Sequence, residues 1–315
     1  MKRQHIRLVV AVAAVALMAA ACGGDDDDDT SASTDASELT LGAPADCENN
    51  GYCLPGLERV YGVDLSANFT PLDGGVIVTS LQDGAIDIGV LFSTSPVLAD
   101  ESLVVLEDDE GLTAADNVFP VASQEAADAY GDDLATVLDA VSSELTTDDL
   151  IALNTAVDVE HEDAEDAAAT WLEEHPDVEG LVDSPAAGPA LTFGAQDFGE
   201  SRVLSQIYSQ ALQANGFESG TTEVGGFRDL LFGAFESGDV NIAIDYVASE
   251  LEYLNENAGE ATADVDETYA LLEPLLADQG LVGFTPAEAI DANVFVVTAD
   301  FSEENDVTSL SDLAG

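Results

Sequence analysis

Two segments of the chain repeat one pattern, and this internal repeat limits the possible folds more than any other feature. The first, LQDGAIDIGVLFSTS, spans residues 81–95, and the second, FESGDVNIAIDYVAS, spans residues 235–249. Each contains the end of a helix, a glycine, a short turn and a strand with alternating Ile and Val. An aromatic residue, Phe92 or Tyr246, ends each strand. Two generic βαβ units would give the same pattern, but the matched aromatic residues favour two similar α/β lobes that face each other.

Other segments are also typical of an α/β fold. An apolar stripe over residues 203–212 predicts a helix that ends before Asn215. Residues 126–174 predict two or three consecutive helices, one of which carries the only tryptophan, Trp171, into a core. A stretch rich in proline and glycine, residues 176–189, is interpreted as a linker. Strands are predicted at Leu39–Gly42, Ala190–Gly194 and Asn293–Thr298.

The balance of charges excludes several classes of protein. The chain has 315 residues, with 64 Asp and Glu against six Lys and Arg. A nucleic-acid partner is excluded, because binding phosphates requires clustered basic residues. Intrinsic disorder is disfavoured, because 46% of the residues are apolar, which is enough to bury a large core. The acidity indicates a saline habitat, where salt screens the repulsion between like charges.

The first residues are typical of an export signal, predicted to span residues 1–21. A basic head precedes a 14-residue apolar run, which is too short to cross a hydrocarbon core of about 30 Å as a helix. The run ends in AAAC, which resembles the bacterial lipoprotein signal, in which Cys22 would be lipidated and become the first residue. The lipoprotein pattern prefers Leu where this chain has Ala19. The alternative is a secreted protein with a free Cys22.

An acidic segment follows the predicted signal. Residues 22–38 include five consecutive aspartates and show no apolar periodicity, so they predict a solvated, disordered tether. A calcium loop is disfavoured, because the run lacks the turn glycine and the ligand spacing of such a loop. Without the signal the chain has no lysine and three arginines, Arg59, Arg202 and Arg228.

Two further cysteines, Cys47 and Cys53, lie close together in the loop-like stretch DCENNGYC. In an exported chain this pair predicts a structural disulfide. The spacing is wrong for a CxxC redox pair, and no second pair or nearby histidine completes a zinc site. No metal site is therefore expected.

The block LTLGAPADCENNGYCLPGLERVYG, at residues 39–62, resembles part of a known family. It is similar to the second half of the glycine betaine/carnitine/choline (osmoprotectant) binding proteins of ABC importers. The resemblance continues through GVLFSTS, VVLEDDEGLTAADNVFP and the helices up to DAAATWLEEH. From Leu191, LTFGAQDFGESRVLSQIYSQALQANGFES resembles the start of the family, which then runs through DANVFVVT to SLSDLAG. The two blocks cover nearly all of residues 39–315.

The order of the two blocks is reversed relative to the family. In the family, a segment like SLSDLAG leads directly into one like ELTLGAPADC, whereas here the two lie at opposite ends of the body. The simplest interpretation is a circular permutation, in which residues 176–189 join the old termini. The alternative is that the pieces come from two copies, which would give an incomplete or swapped protein.

The resemblance implies a two-lobed, type II periplasmic-binding-protein-like α/β fold with a ligand cleft between the lobes. Lobe A is expected at residues 106–297, and lobe B at residues 39–105, completed by the tail 298–315. Two crossover strands join the lobes in this family, and the lobes close over the ligand. Only the closed form is expected to dock well on the permease.

The resemblance also implies a function. The chain would be an extracytoplasmic lipoprotein, anchored to the membrane by lipid, that delivers a quaternary-ammonium osmoprotectant such as glycine betaine, choline or carnitine to an ABC permease. No cofactor is expected. The alternatives are a binding protein for another small zwitterionic or cationic solute, and a surface sensor lipoprotein of the same fold that does not transport.

A quaternary ammonium donates no hydrogen bond, so aromatic faces and partial negative charge must hold it. Tyr246 and Phe92 are the expected cage walls, with Asp245 adding charge. The other predicted ligand contacts are polar residues on loops and crossovers: Gln196, Asp197, Asn293, Asn117, Ser93, Thr94 and Ser95. Few aromatic residues are available for a larger cage, although Tyr52 and Phe69 could contribute from lobe B.

An enzyme is disfavoured. The chain has no GxSxG elbow, no GxGxxG turn and no GKS/T loop. His161 and His175 lie in acidic helical stretches, where a solvated surface position is the default. Pairs of carboxylates are so frequent in this chain that their proximity does not indicate acid–base catalysis.

Overall fold

Two five-stranded mixed sheets with the same strand order organise the chain. The structure, a computed structural model, describes residues 39–72 and 74–314. The predicted signal, Cys22 and the tether lie outside the described residues. The strands are β1 (Leu41–Ala43), β2 (Phe69–Pro71), β3 (Ile88–Phe92), β4 (Leu103–Val105), β5 (Val118–Ser123), β6 (Leu191–Ala195), β7 (Ser219–Glu223), β8 (Ile242–Tyr246), β9 (Leu281–Gly283) and β10 (Asn293–Thr298).

Helices connect these strands and cover both sheets. They are α1 (Leu54–Tyr61), α2 (Gly74–Gln82), α3 (Gln124–Tyr130), α4 (Asp132–Glu144), α5 (Thr147–Asn154), α6 (Ala164–Glu174), α7 (Gly199–Ala214), α8 (Arg228–Ser237), α9 (Val247–Leu254), α10 (Val265–Asp278) and α11 (Ala299–Asn305).

The strand order is β2-β1-β3-β10-β4 in one sheet and β7-β6-β8-β5-β9 in the other. The first three strands of each sheet pair in parallel, whereas β10 and β5 run antiparallel to both of their neighbours. β10 and β5 therefore occupy equivalent positions, and the predicted internal repeat is confirmed. Both sheets are complete within one chain, so the fold does not require a swapped partner.

The repeated segments form equivalent structures. Helix α2 leads through Gly84 into β3, and helix α8 leads through Gly238 into β8. Both glycines have a left-handed backbone, with φ of 66° and 76°, which L-residues with side chains rarely adopt. The two helices therefore end in the same way, and the strands that follow end at Phe92 and Tyr246.

The sheets define two lobes with a corrected boundary. Lobe B consists of residues 39–105 and 293–314, and lobe A consists of residues 118–283. Residues 293–297, which the resemblance assigned to lobe A, belong to β10 and pair with β3 and β4 in lobe B. The chain has already crossed by Asn293, which pairs with Phe92. The two connecting stretches, residues 106–117 and 284–292, are called the crossover segments below.

Each sheet is packed on both faces. One face of the lobe A sheet packs against α3 to α7, where Trp171 is buried as predicted, and the other packs against α8 to α10. Residues 126–174 belong to four helices rather than two or three. Gly131, with φ of 54°, separates α3 from α4, and the side chain of Thr146 caps the start of α5. The sequence pattern concealed these breaks because apolar periodicity continues across them.

The stretch 176–189 connects α6 to β6 and is held in place by one buried side chain. The amide oxygen of Asn215 accepts hydrogen bonds from the backbone N–H groups of Leu181 and Val182, at 2.6 and 3.2 Å. Its amide nitrogen donates to the carbonyls of Val178 and Ala211, at 2.8 and 2.9 Å. This linker is therefore attached to the end of α7 rather than looping freely.

No helix within residues 39–72 and 74–314 is long and apolar enough to cross a membrane.

We expect the substitution Asn215→Ala to lower the free energy of unfolding by about 2–3 kcal/mol, because it leaves buried backbone groups without partners. Urea unfolding measures this change. The control is Gln82→Ala, which shortens an exposed side chain on α2 and should change stability by less than about 0.5 kcal/mol. Equal stability of Asn215→Ala and the wild type would show that the linker is not held by this residue.

Candidate functional site between the lobes

Two adjoining cavities lie between the lobes. The smaller has a volume of ≈ 170 Å³, and the larger a volume of ≈ 800 Å³. Four residues line both cavities: Asn50, Asp116, Ser249 and Asn293. The smaller cavity also contacts Phe92 and Asp291. Because lobe A, lobe B and both crossover segments contribute, this is the place where closure of the lobes would enclose a solute.

Strand topology explains why these side chains meet. Phe92 ends β3, Asn293 begins the antiparallel strand β10, and the two residues pair in register. Ser249 lies in the first turn of α9, directly after β8. The carboxyl ends of parallel strands form the binding edge of open α/β sheets. Of the predicted ligand residues, Phe92 and Asn293 border the smaller cavity, and Phe92 is 53% exposed.

Two carboxylates on the crossover segments border the smaller cavity. The backbone N–H of Asp291 donates to the carbonyl of Asp116 at 3.1 Å, so the crossover segments contact each other here. Burial raises the pKa of Asp116 to about 6, although hydrogen bonds from Ser249 oppose the rise. Burial, with the charge of Glu200 nearby, holds the pKa of Asp291 well above its usual range. Both pKa shifts mean that this region favours an added positive charge.

Ser249 fixes the orientation of Asp116. Its backbone N–H donates to one carboxylate oxygen at 2.9 Å, and its hydroxyl donates to the other at 2.6 Å. The N-terminus of α9 is thereby attached to the first crossover segment. Lobe A therefore fixes the position of this carboxylate.

Tyr246 lies in a polar network rather than at an open cage wall. Only 6% of it is exposed, and its hydroxyl donates to Glu200 at 2.5 Å. Asn154 donates to the other oxygen of Glu200 and to the carbonyl of Thr94 in lobe B. Burial raises the pKa of Glu200, while the hydrogen bonds from Tyr246 and Asn154 lower it. The hydroxyl of Thr94 donates to Asp291, which connects this network to the smaller cavity.

Asp245 is fully buried, and its carboxylate forms a salt bridge with Arg228. The guanidinium Nε donates to one carboxylate oxygen of Asp245 at 3.0 Å, and Nη2 donates to the other. Burial alone would lower the pKa of Arg228, but the Asp245 carboxylate raises it above its ordinary value. Glu250 is also fully buried, and its carboxyl oxygens have no hydrogen-bond partner among the described residues. Burial and the charge of Asp245 raise the pKa of Glu250 well above its usual range.

The structure gives the remaining predicted polar residues local contacts. Ser93 donates to the carbonyl of Ile290 and accepts from the N–H of Ala292, so it holds the second crossover segment. Ser95 precedes a short 3₁₀ turn at residues 96–99. These two residues therefore support the crossover and the loop that leaves β3.

Three other predicted ligand contacts lie in lobe A or at the end of the first crossover segment. Gln196 is buried after β6, and exposed Asp197 pairs with Arg202. Asn117 donates to the carbonyl of Ala287 at 2.8 Å, and its amide oxygen is buried without a partner among the described residues. None of the three lines either cleft cavity.

The structure contains a disulfide between Cys47 and Cys53, the predicted pair. The loop that it closes, residues 48–52, lines the larger cavity and carries Tyr52. The Tyr52 hydroxyl oxygen lies 2.9 Å from a carboxylate oxygen of Glu252 and 2.9 Å from the carbonyl oxygen of Ala261, and its one hydrogen is shared between these two acceptors, both in lobe A. Tyr52 thus joins the lobes. Phe69, the other suggested lobe B aromatic, packs on the lobe B core.

Sequence reasoning missed the charged residues that line the two cleft cavities, namely Asp116, Asp291, Arg59, Arg228 and Glu252. Asp116 is the neighbour of the predicted Asn117, so position along the chain was the only available signal. Among 64 acidic residues, nothing in the sequence distinguishes a carboxylate in the cleft from one on the surface. The aromatic residues Phe198 and Phe227 were also missed; their rings stack near Tyr246 at the same edge of lobe A.

No group of His, Cys, Asp and Glu side chains in the described part of the chain could hold a metal ion.

We expect the substitution Tyr246→Phe to lower the free energy of unfolding by about 1–3 kcal/mol, because buried Glu200 loses a hydrogen-bond donor. The matched control is Tyr253→Phe, whose hydroxyl donates to exposed Asp229 at 2.8 Å and should contribute less than about 1 kcal/mol. Chemical denaturation of the two variants measures the difference. Equal losses of stability would show that the buried hydrogen bond to Glu200 contributes no more than the exposed hydrogen bond to Asp229.

Comparisons with known proteins identify a family and several relatives. The sequence profile of the substrate binding domain of ABC-type glycine betaine transport systems matches residues 25–174 and 189–315. A glycine-betaine-binding protein of Pseudomonas aeruginosa is 29% identical over 133 residues, 42% of this chain and 41% of that protein. The glycine betaine-binding protein YehZ of Escherichia coli K12 is 26% identical over 130 residues, 41% of this chain and 42% of that protein.

The chain thus spans about two fifths of the length of the curated relatives that it matches. Apo YehZ from Escherichia coli superposes on 88% of this chain and 91% of its own, with a TM-score of 0.36 and 13% identity. The profile match extends over most of the sequence, and the chain belongs to the family of substrate-binding domains of ABC-type glycine betaine transport systems.

Proposed function

We propose that the protein binds a small quaternary-ammonium osmoprotectant between its lobes, outside the cytoplasm, and delivers it to an ABC permease. The observation that carries the proposal is the smaller cavity, where Phe92 and two carboxylates from the crossover segments meet. A solute in that position contacts both lobes and the segments about which the lobes would move. Its binding energy can therefore favour the closed form over the open form.

The chemistry of this cavity suits a cation. An aromatic face attracts a quaternary ammonium by about 0.5–2 kcal/mol, depending on how far the site excludes water. Asp116 and Asp291 have raised pKa values because burial disfavours their charges. A bound cation would offset that cost by favouring the ionised carboxylates. Tyr246 contributes through its contact with Glu200 rather than through an open ring face.

A second candidate is a solute whose ammonium group carries hydrogen atoms. The observation that favours it is the ratio of groups in the smaller cavity, which has two carboxylates and one aromatic side chain. Carboxylates accept hydrogen bonds, and a quaternary ammonium cannot donate them. The affinities for glycine, N,N-dimethylglycine and glycine betaine separate these candidates, because the three solutes differ only in the number of N-methyl groups.

We also propose that the family's two halves are circularly permuted here and that Cys22 carries a lipid anchor. The break in the family match, at residues 175–188, coincides with the predicted linker and supports the permutation. The relatives' matches of 130 and 133 residues support it as well, because a collinear alignment can follow only one half of a permuted chain. The AAAC motif supports the anchor.

Isothermal titration calorimetry of the purified protein in molar salt tests the proposed function. We expect saturable binding of glycine betaine with micromolar affinity. Replacing Phe92 by Ala should weaken binding about tenfold or more, because it removes the aromatic face of the cavity. The control is Phe69→Leu in lobe B, which should leave affinity unchanged. A folded wild type that binds neither methylated nor unmethylated solutes would contradict the proposal.

The pH dependence of binding provides a second test. Asp116 is mostly protonated and neutral below a pH of about 6, so affinity for a cation should fall about tenfold when the pH is lowered from 6 to about 4.7. Asp291 and Glu200, with raised pKa values, face the same region and should steepen the fall. In Asp116→Asn the dependence should weaken, whereas in Asp64→Asn, which changes an exposed acid, it should not. Identical pH profiles for the wild type and Asp116→Asn would rule out this role of Asp116.

A further inference from the structure

The chain contains two Asn-Gly sequences, Asn50-Gly51 and Asn215-Gly216. In this sequence the backbone nitrogen of the glycine attacks the asparagine side chain most readily, because glycine has no side chain to hinder the approach and has the widest backbone freedom. The structure places the two sequences in opposite environments. Asn50 lies in the loop closed by the disulfide and lines both cleft cavities, whereas Asn215 is buried at the end of α7.

The side chain of Asn50 folds back over its own backbone. Its amide oxygen accepts a hydrogen bond from the N–H of Tyr52 at 2.9 Å, in an Asx turn that holds the side-chain carbonyl beside the peptide group joining Asn50 to Gly51. The same hydrogen bond polarises that carbonyl and makes its carbon a better electrophile. The amide nitrogen of Asn50 makes no hydrogen bond with the described residues, so nothing retains it as a leaving group.

Gly51 supplies the attacking nitrogen. Its backbone N–H makes no hydrogen bond with the described residues, so no bond has to break before the nitrogen reacts. The guanidinium of Arg59 donates to the carbonyl of Gly51 at 3.0 Å and brings a positive charge to the loop. A nearby positive charge favours loss of the N–H proton, which has to precede the attack.

Asn215 is also followed by glycine but lacks these features. Both polar atoms of its side chain take part in the hydrogen bonds that attach the linker to α7. The N–H of Gly216 donates to the carbonyl of Gln213 at 3.0 Å. Because Asn215 is only 1% exposed, reaction there first requires local opening of the fold.

We propose that Asn50 is a site of spontaneous covalent modification in the folded protein, where the side-chain amide becomes a carboxylate through a cyclic succinimide. The nitrogen of Gly51 loses its proton and forms a bond to the side-chain carbonyl carbon of Asn50. The bond from that carbon to the amide nitrogen breaks, and the nitrogen takes up a proton and leaves as ammonia. Water then adds to either carbonyl of the ring and opens it, which gives aspartate or isoaspartate. The net reaction consumes water and releases ammonia.

The modification changes the wall that the two cavities share. It adds a negative charge to a space that Asp116 also lines. Isoaspartate, in addition, lengthens the backbone by a methylene group inside the loop closed by the disulfide, two residues before Tyr52, whose hydroxyl joins the lobes. The cleft of an aged protein therefore differs in charge and shape from that of a newly made one, whichever solute it binds.

Incubation of the full-length protein in mildly alkaline buffer with molar salt, followed by digestion at acidic pH and peptide mass spectrometry, tests this site. We expect acid to accumulate at Asn50 at least about tenfold faster than at Asn215, because Asn215 reacts only after its buried hydrogen bonds open. Fragment ions separate Asn50 from its neighbour Asn49, and isoaspartate among the products identifies the succinimide route. In urea, where neither sequence keeps its native contacts, the two rates should agree within about threefold.

The variant Gly51→Ala examines the ring closure itself. A Cβ at this position meets only the Nη1 atom of Arg59, at 3.9 Å, and the backbone of Gly51 is not left-handed, so the fold is retained. The methyl group hinders the attack, and the rate at Asn50 should fall about fivefold or more. The control is Gly233→Ala in α8, where a Cβ also has open space and the rate at Asn50 should not change.

Three results would overturn the proposal. The first is equal rates at Asn50 and Asn215 in the folded protein, and the second is an unchanged rate at Asn50 in Gly51→Ala. The third is acid at Asn50 in urea but none in the folded protein, since the loop would then protect the side chain that we expect it to expose.

Discussion

Each sheet contains one strand that comes from the other half of the chain. Strand β10 enters the sheet formed by β1 to β4, between β3 and β4, and β5 enters the sheet formed by β6 to β9, between β8 and β9. Neither sheet is complete without the inserted strand, because its hydrogen bonds link the edge strand to the rest. The chain must therefore cross between the lobes twice. The crossover segments lie side by side as a result, with the N–H of Asp291 bonded to the carbonyl of Asp116.

This exchange of strands also determines where the charged groups of the cleft lie. Asp116 and Asp291 lie next to each other at the crossing, and both residues are half-buried. Withdrawal from water is the main cause of their raised pKa values. On a surface, salt would screen such charges, but groups withdrawn from water are screened much less. A protein whose exterior is uniformly acidic can thus still have a cleft with selective electrostatics. Arg59 and Arg228 line the larger cavity together with Asp116 and Glu252.

Much of the fold could be predicted from local pattern. The repeated helix–glycine–strand units, the strand Asn293–Thr298, the end of α7 before Asn215 and the core position of Trp171 all agree with the structure. Helix boundaries inside residues 126–174 were harder to predict, because breaks at Gly131 and Thr146 do not interrupt the apolar periodicity. The lobe boundary was misplaced by five residues for a related reason. Sequence alone does not reveal which sheet a strand joins, since pairing partners are distant along the chain.

The candidate site likewise has features that the sequence predicts and features that only the tertiary structure shows. The sequence by itself determined that two similar α/β units follow each other, that Phe92 and Tyr246 end equivalent strands, and that basic residues are rare. These properties depend on composition and on periodicity along a few residues. Only the tertiary structure decided that Phe92 borders a cavity while Tyr246 bonds to Glu200, and that two of the three arginines among the described residues line one cleft cavity. The physical reason is that burial and charge pairing depend on contacts between residues 46 to nearly 200 positions apart, such as Glu200 with Tyr246 and Thr94 with Asp291, which no local pattern encodes.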